Sequence, residues 1–374
     1  MRVGLLIYGD LDTLTGGYLY DRKLVAYLRG RGDSVEIISL KWRHYGRHLM
    51  DNLSRPLLRR LAKAKLDVMI QDELNHPSLF AVNRWLKRRV DYRLITLVHL
   101  LRSSESRVAS AKPLYRAVER RYFKSVDGAI FNSQTTREAV EQLTGRQVPG
   151  VVAYPGRDHL RHQISLAEVA ARAATGGPLR VVFVGNVLAG KGLDTLIEAM
   201  RRLPRGACRL MAIGSLTMDA AYAERIRRQV AGAGLSDYVE LLGAVPNEEV
   251  PGHLNRNHVL AVPSRYEALG IAYLEAMGCG LPVIATAAGG AHEIVHHGEV
   301  GFLTRPGDAE MLAGYLRELD EDRGRLVEMS LAAHRHVAAH PTWDESFAAA
   351  RDFLQSCLMK GGNPCWRTSN VDYA

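Results

Sequence analysis

Cysteine is scarce in this 374-residue chain: Cys208, Cys279, Cys357 and Cys365 are scattered, with no Cys-x-x-Cys pair among them. Such spacing supplies neither a disulfide framework nor a sulfur-based zinc site, and it suits a reducing compartment. Histidine is commoner, but no acidic or sulfur ligand completes a set around His334-Arg-His336, so no metal is expected. Long apolar runs are missing as well. None approaches the roughly 18 residues that a membrane-spanning helix needs. The opening Met1–Tyr8 run is too short for a signal peptide and reads as a first strand. A cytoplasmic protein is expected, at most peripheral on the inner face of a membrane. The glycine pattern G-x-G-x-x-G is absent and no Walker loop is present, which argues against a dinucleotide site and a P-loop nucleotidase. No aromatic-basic motif of the nucleic-acid-binding folds appears either, so no nucleic-acid partner is expected.

What the chain does have is length for two domains, since one core rarely grows to 374 residues. Its charge is lopsided. Residues 1–150 hold 27 of the 49 Lys+Arg and 15 of the 40 Asp+Glu, an excess of +12, and the remainder sums to −3. Much of that excess lies in Lys41–Lys65, which also carries Trp42 and places Leu53, Leu57, Leu58 and Leu61 at helical spacing. A basic amphipathic stretch with tryptophan can lie on an anionic membrane surface, and it can equally be a solvated helix face.

Strand-like and helix-like segments alternate without any hairpin signal, which predicts α/β architecture with parallel sheets. Arg2–Tyr8 leads into a loop ending in Thr15-Gly16-Gly17 before an amphipathic helix. Glycines there let a phosphate approach a helix N-terminus, though a plain turn uses them too. Arg93–Val98 delivers His99 to the end of a strand, where open sheets bind ligands. Thr175-Gly-Gly-Pro178 closes an alanine-rich segment from Ala170, the expected linker, after which the alternation restarts. These breaks divide the chain at 1–170, 171–340, a last helix over 341–360, and a polar tail over 361–374 expected to be disordered.

The most informative stretch is Pro263–Leu303. An apolar strand ends near Pro263, Glu267 sits on the loop that follows, and Gly270 opens a short helix at Ile271. The free N–H groups of that helix attract an anion. Glu275 lies about five residues in, roughly 7–8 Å along the axis, a workable offset between a diphosphate and a ribose. A structural acid, capping a loop or pairing with an arginine, would read the same way.

Glu267-x7-Glu275, Gly280-Leu-Pro-Val283, Gly289-Gly290 with Glu293, and Gly301-Phe-Leu303 together resemble the retaining GT-B glycosyltransferases that carry an E-x7-E signature. The resemblance covers nearly the whole chain. It is looser in the first half, where Gly16-Gly17, His99 and Asp127-Gly128 carry it. It implies two Rossmann-like doubly wound domains facing across a cleft, with the last helix crossing back to the first. It also implies transfer of a sugar from a UDP- or GDP-linked donor to a hydroxyl of a glycan, lipid or small molecule, with no cofactor besides the donor substrate. Lys191 matches the lysine of the family's diphosphate clamp, and Asn186 stands where the clamp has an arginine. By the same resemblance Gly270 and Ile271 meet the diphosphate and Glu275 the ribose. Glu267 and His99 meet the sugar, and the Gly16-Gly17 loop faces the donor. A nucleotide-sugar epimerase, a phosphorylase, or a non-catalytic sugar-nucleotide binder would share this fold.

Overall fold

The computed structural model describes residues 1–104, 109–160 and 164–359, so the tail expected over 361–374 lies outside the described residues. The chain divides into two compact units, Met1–Pro155 with Asp344–Ala374, and Gly156–Trp343.

The first unit is built on six strands: β1 (Arg2–Tyr8), β2 (Ser34–Leu40), β3 (Val68–Asp72), β4 (Arg93–Val98), β5 (Gly128–Phe131) and β6 (Gly150–Val152). They form one sheet in the order β2-β1-β3-β4-β5-β6, and every pair is parallel. Helices cover both faces of such sheets, which is why β3 and β5 are buried along their whole length. The second unit repeats the plan with β7 (Leu179–Val184), β8 (Cys208–Ile213), β9 (Val239–Gly243), β10 (Val259–Ala261), β11 (Val283–Thr286) and β12 (Gly301–Thr304). Its order is β12-β11-β10-β7-β8-β9, again parallel throughout. In both sheets the order reverses beside the first strand of the unit, and loops at such a switch point open at the strands' C-terminal ends.

Two expectations need correction. The linker read over Ala170–Pro178 is half helix: Leu166–Ala174 is helical and starts with a capping box between Ser165 and Glu168. Its Arg172 is buried and donates to the carbonyls of Cys279 and Gly280 at 2.8 and 2.6 Å, which fixes the helix on the second unit. The break therefore falls at Pro155/Gly156 and not inside that helix. Apolar burial on one face outweighs the weak linker signal of an alanine-rich run. Lys41–Lys65, likewise, does not set its four helically spaced leucines on one helix. It forms helices Tyr45–Met50 and Arg55–Ala62 around a short 3-10 turn. Leu57 and Leu61 are consumed by the core, while Leu53 stays 83% exposed.

The helix Trp343–Met359 packs within the first unit. Phe347 meets the Tyr20 ring edge-on at 5.1 Å, and Arg351 pairs with buried Asp33 at 2.7 Å. Among the described residues no helix is long and apolar enough to cross a membrane.

Candidate functional site

In the second unit, three loops leave the C-terminal ends of β7, β10 and β11. Backbone contacts too close for any side chain weld them together. A Cβ on Gly192 (φ +74°) would lie 1.9 Å from the Pro263 carbonyl oxygen, and one on Gly289 (φ +96°) 1.9 Å from that of Glu267. Gly290 N–H donates to the same Glu267 oxygen at 2.8 Å, and Glu267 N–H to Ala288 O at 3.1 Å. Only glycine permits such approach.

The weld brings expected residues into contact. Lys191 ends a 3-10 turn before the helix Leu193–Arg201, and its Nζ donates to Glu267 Oε2 at 2.6 Å. Ser264 Oγ donates to the same carboxylate oxygen at 3.1 Å. The two side chains are 33% and 15% exposed, so this charged pair faces solvent from one side. Gly270 (φ +99°) is the N-cap of the helix Ile271–Gly278, with the Tyr273 ring filling the place of a side chain. Glu275 occupies the fifth position of that helix. Its carboxylate accepts no hydrogen bond from any described residue, and burial pushes it up to about 7. A group so placed is poised to receive hydroxyl donors from a ligand.

Asn186 does not join the Lys191–Glu267 pair. Its side-chain oxygen accepts from Ser215 N–H at 3.2 Å, tying the loop after β7 to the loop after β8. Four neighbours, His159, Arg265, Asp194 and Ser264, escaped sequence reading. His159 Nε2 lies 3.7 Å from Glu275. Arg265 donates its N–H to Gly190 O at 2.8 Å and reaches Asp194 at 3.4 Å. No local spacing links 159 to 275 or 194 to 265. Ser264 alone had a signal, three residues before Glu267.

In the first unit, His99 follows β4 directly. Its N–H donates to Glu73 Oε2 at 2.9 Å, its carbonyl accepts from Asn132 Nδ2 at 3.0 Å, and Nε2 meets Asp21 Oδ1 at 2.9 Å. Tyr20 packs edge-on against the ring at 5.2 Å. Gly16 and Gly17 open the helix Gly16–Gly30 behind the Thr15 cap, and a Cβ on Gly17 would touch His99 Cδ2 at 3.4 Å. The Gly-Gly loop and the histidine therefore form one locus. Burial raises Asp72 to about 7, and it raises Glu73 well above the ordinary carboxylate range with help from the Asp72 charge. Burial works against a charged His99, but the charge and hydrogen bond of Asp21 outweigh it, and the net shift is upward. Sequence reading missed Asp21, Asp72 and Glu73.

The comparisons with known proteins agree on family and fold. A profile described as "Glycosyl transferases group 1" matches residues 168–336, and one described as "Glycosyl transferase 4-like domain" matches 13–156. A GDP-mannose-dependent alpha-(1-6)-phosphatidylinositol monomannoside mannosyltransferase of Mycobacterium tuberculosis is 33% identical over 259 residues. That stretch is 66% of this chain and 66% of the relative, just under two thirds of its length. A D-inositol 3-phosphate glycosyltransferase of Streptomyces avermitilis is 27% identical over 76% of this chain and 63% of its own. Among solved structures, sucrose-phosphate synthase of Thermosynechococcus elongatus superposes with a TM-score of 0.80 at 22% identity, covering 96% of this chain and 99% of that one. Anabaena HepE in complex with UDP and glucose gives 0.73 at 21% identity, over 95% and 100%. At these identities the structures speak for the GT-B fold alone.

Proposed function

We propose for this chain, which belongs to the group 1 glycosyl transferases, the transfer of a sugar from a nucleotide-diphosphate donor to an acceptor hydroxyl with retention of anomeric configuration. The observation that carries the reading is the Lys191–Glu267 pair at 2.6 Å, welded between two loops at the C-terminal edge of a parallel sheet. It stands beside a glycine-opened helix whose fifth residue is a half-buried acid, its carboxylate without a hydrogen-bond donor among the described residues.

The chemistry asks for charge stabilisation more than for a nucleophile. As the donor breaks, negative charge grows on the diphosphate. Lys191 and the amides at Gly270 and Ile271 meet it with fixed positive charge, which needs little reorganisation at the moment of reaction. The carboxylate of Glu267 takes a hydroxyl of the donor sugar and Glu275 the ribose hydroxyls; His99 is assigned to the sugar. The departing phosphate itself takes the acceptor proton, so no separate base is assigned. Asn186 brings no charge to the clamp, and its bond to Ser215 makes it a loop anchor.

The relatives' names favour a guanosine donor and an inositol-bearing lipid acceptor, and the UDP-bound neighbour keeps a uridine donor in play. A lipid acceptor agrees with the basic first unit, where Trp42 and Met50 are 60% and 68% exposed and Leu53 projects nearby in sequence. The test is a screen of GDP-mannose, UDP-glucose and ADP-glucose for release of the nucleoside diphosphate, with the anomeric configuration of the product read by NMR. No nucleoside diphosphate from any donor would sink the reading. Turnover that requires inorganic phosphate would replace it by a phosphorylase, and an inverted product would remove the retaining mechanism.

A further inference from the structure

We propose that Asp21 is a positioning residue that holds His99 as an imidazolium, with Nε2–H on its own carboxylate and Nδ1–H turned outward as a donor to the substrate. The reasoning starts from the two ring nitrogens. Nε2 is committed to Asp21 Oδ1 at 2.9 Å. Nδ1 has no partner among the described residues, and it is not among the buried orphaned atoms. The ring cannot swing away. Its backbone is tied at both ends, to Glu73 and Asn132, and Tyr20 flanks the ring itself. A neutral ring bonded this way would carry its proton on Nε2 and present a bare acceptor at Nδ1. A charged ring presents a donor there. The charge state of His99 thus decides what the site can do.

The surroundings decide the charge. The helix Gly16–Gly30 contributes Asp21, Tyr18 and Tyr20, and the end of β3 contributes Asp72 and Glu73. Both tyrosine hydroxyls are spent on backbone carbonyls, Tyr18 on Tyr8 and Tyr20 on Ala153. No lysine or arginine figures among the groups acting on His99. Asp21 is fully buried, and its Oδ2 has no hydrogen-bond partner among the described residues. A carboxylate so enclosed needs a positive charge against it. Burial draws Asp72 and Glu73 toward their neutral forms, and the charge that Asp72 keeps acts on His99 in the same upward direction as that of Asp21. The pair in direct contact, the Asp21 carboxylate and the His99 imidazolium, has zero net charge, and the upward shift of His99 agrees.

The ionisation does not depend on the proposed reaction; only its use in catalysis rests on the assignment of His99 to the donor sugar. The test separates the two. The imidazole of His99 is titrated by long-range proton–nitrogen NMR in the full chain, its signals assigned by their loss in His99→Gln. In the unsubstituted protein it is expected to ionise above the ordinary value of about 6.5. Asp21→Asn keeps an oxygen for Nε2–H but removes the charge, and should drop the value below 6.5. With whichever donor supports turnover, the alkaline limb of kcat/KM should move down by the same interval. Each unit of that fall costs about tenfold at pH 8, with recovery toward pH 5.5. A His99 that ionises at or below 6.5 in the unsubstituted protein would overturn the proposal, even if Asp21→Asn did not fold. An unmoved pH profile despite a shifted titration would overturn the catalytic half and the assignment of His99 with it. Loss of activity on chelation, restored by Mn²⁺, would put a cation on Asp21, Asp72 and His99, which lie within 4.8 Å of one another, and would overturn it too.

Discussion

The two units share a plan but build their loci by opposite means. Each has six parallel strands and carries its candidate residues just past the strands' C-terminal ends. In the second, the backbone does the positioning: Gly192, Gly270 and Gly289 all have φ between +74° and +99° and contacts that exclude a Cβ. In the first, side chains do it. His99 is held by Glu73, Asn132 and Asp21, and the Gly17 position meets its nearest atom only at 3.4 Å. A locus made by main-chain approach has no tolerance for a methyl group. One made by hydrogen bonds has no tolerance for a changed charge.

Alanine scanning of the glycines breaks or confirms that contrast with the largest effect expected here. Gly289→Ala must strain a left-handed residue and push apart the loops after β10 and β11, for a loss of more than about 4 kcal/mol of stability. Gly17→Ala lies in a helix with room for the methyl, so its stability should change by less than about 0.5 kcal/mol. Chemical denaturation of both variants checks this. If Gly17→Ala keeps stability yet lowers kcat/KM, the Gly16-Gly17 loop faces the donor as the resemblance implies.

Lys191→Ala comes next. It removes the cation bonded to Glu267 and, in the proposed mechanism, the charge facing the diphosphate. Loss of an oxyanion-type contact predicts a fall in kcat/KM of roughly two or more orders of magnitude, about 3 kcal/mol. Asn186→Ala, which removes the anchor to Ser215 but no charge, should do far less. Steady-state kinetics in which both variants matched the unsubstituted protein would remove Lys191 from the diphosphate.

This contrast also explains what was legible in the sequence. Both sheets, the strand–helix alternation and the short helix at Ile271 follow from periodicity and glycine placement. Gly270, Gly280, Gly289 and Gly301 sit at fixed distances within forty residues, and part of the weld, Gly289 and Gly290 on Glu267, lies inside that stretch. Asp21, Glu73 and His99 are separated by 78 positions from first to last, and only the order of strands β1, β3 and β4 joins them. No local spacing could show that. The linker was misread for a related reason: the alanines of Leu166–Ala174 look like a spacer until Arg172 is seen buried against Cys279 and Gly280. His159 beside Glu275 belongs to the same class of tertiary accident.

Glu275 allows a subtler test of the second unit, through pH. Its carboxyl is raised to about 7 by burial, from an ordinary value near 4.5. For an acid shifted upward the folded state binds the proton more tightly than the unfolded chain. Stability is therefore unpenalised below about 4.5, declines as pH rises between the two values, and carries the full penalty above about 7. The penalty has an upper bound of about 3 kcal/mol. Glu275→Gln, which cannot ionise, should thus match the unsubstituted protein near pH 4.5 and exceed it in stability by up to that amount at pH 8. Ribose hydroxyls donating to the carboxylate would offset the same penalty, so a 2′-deoxy donor should bind less well than the natural one. In Glu275→Gln that gap should shrink. A parallel stability curve for the two proteins would place the carboxyl in water, and an unchanged gap would move the ribose elsewhere.

The smallest expected effect concerns the surface of the first unit, and it bears on the acceptor. The excess of +12 in residues 1–150 is no core feature. Lys41, Arg47, Arg55 and Arg59 have no acidic partner among the described residues, while Arg43 is spent on Asp51 at 3.3 Å. Trp42, Met50 and Leu53 project among them at 60%, 68% and 83% exposure. Because Leu57 and Leu61 are locked in the core, docking on a lipid surface cannot use a continuous apolar helix face. It must rely on a few inserted side chains and on charge. Each Lys or Arg close to an anionic leaflet is worth about 1 kcal/mol. Replacing Lys41 and Arg47 by Gln should then weaken binding to vesicles containing phosphatidylserine by about 2 kcal/mol, or roughly thirtyfold. The effect should fade as salt shortens the Debye length below about 8 Å. Trp42→Ala should weaken binding at every salt concentration, because burial of an indole does not depend on screening. Co-sedimentation with anionic and neutral vesicles at low and high salt reads both slopes. Equal, negligible binding to both vesicle types at low salt would leave the basic face as solvated surface and the acceptor as a soluble molecule.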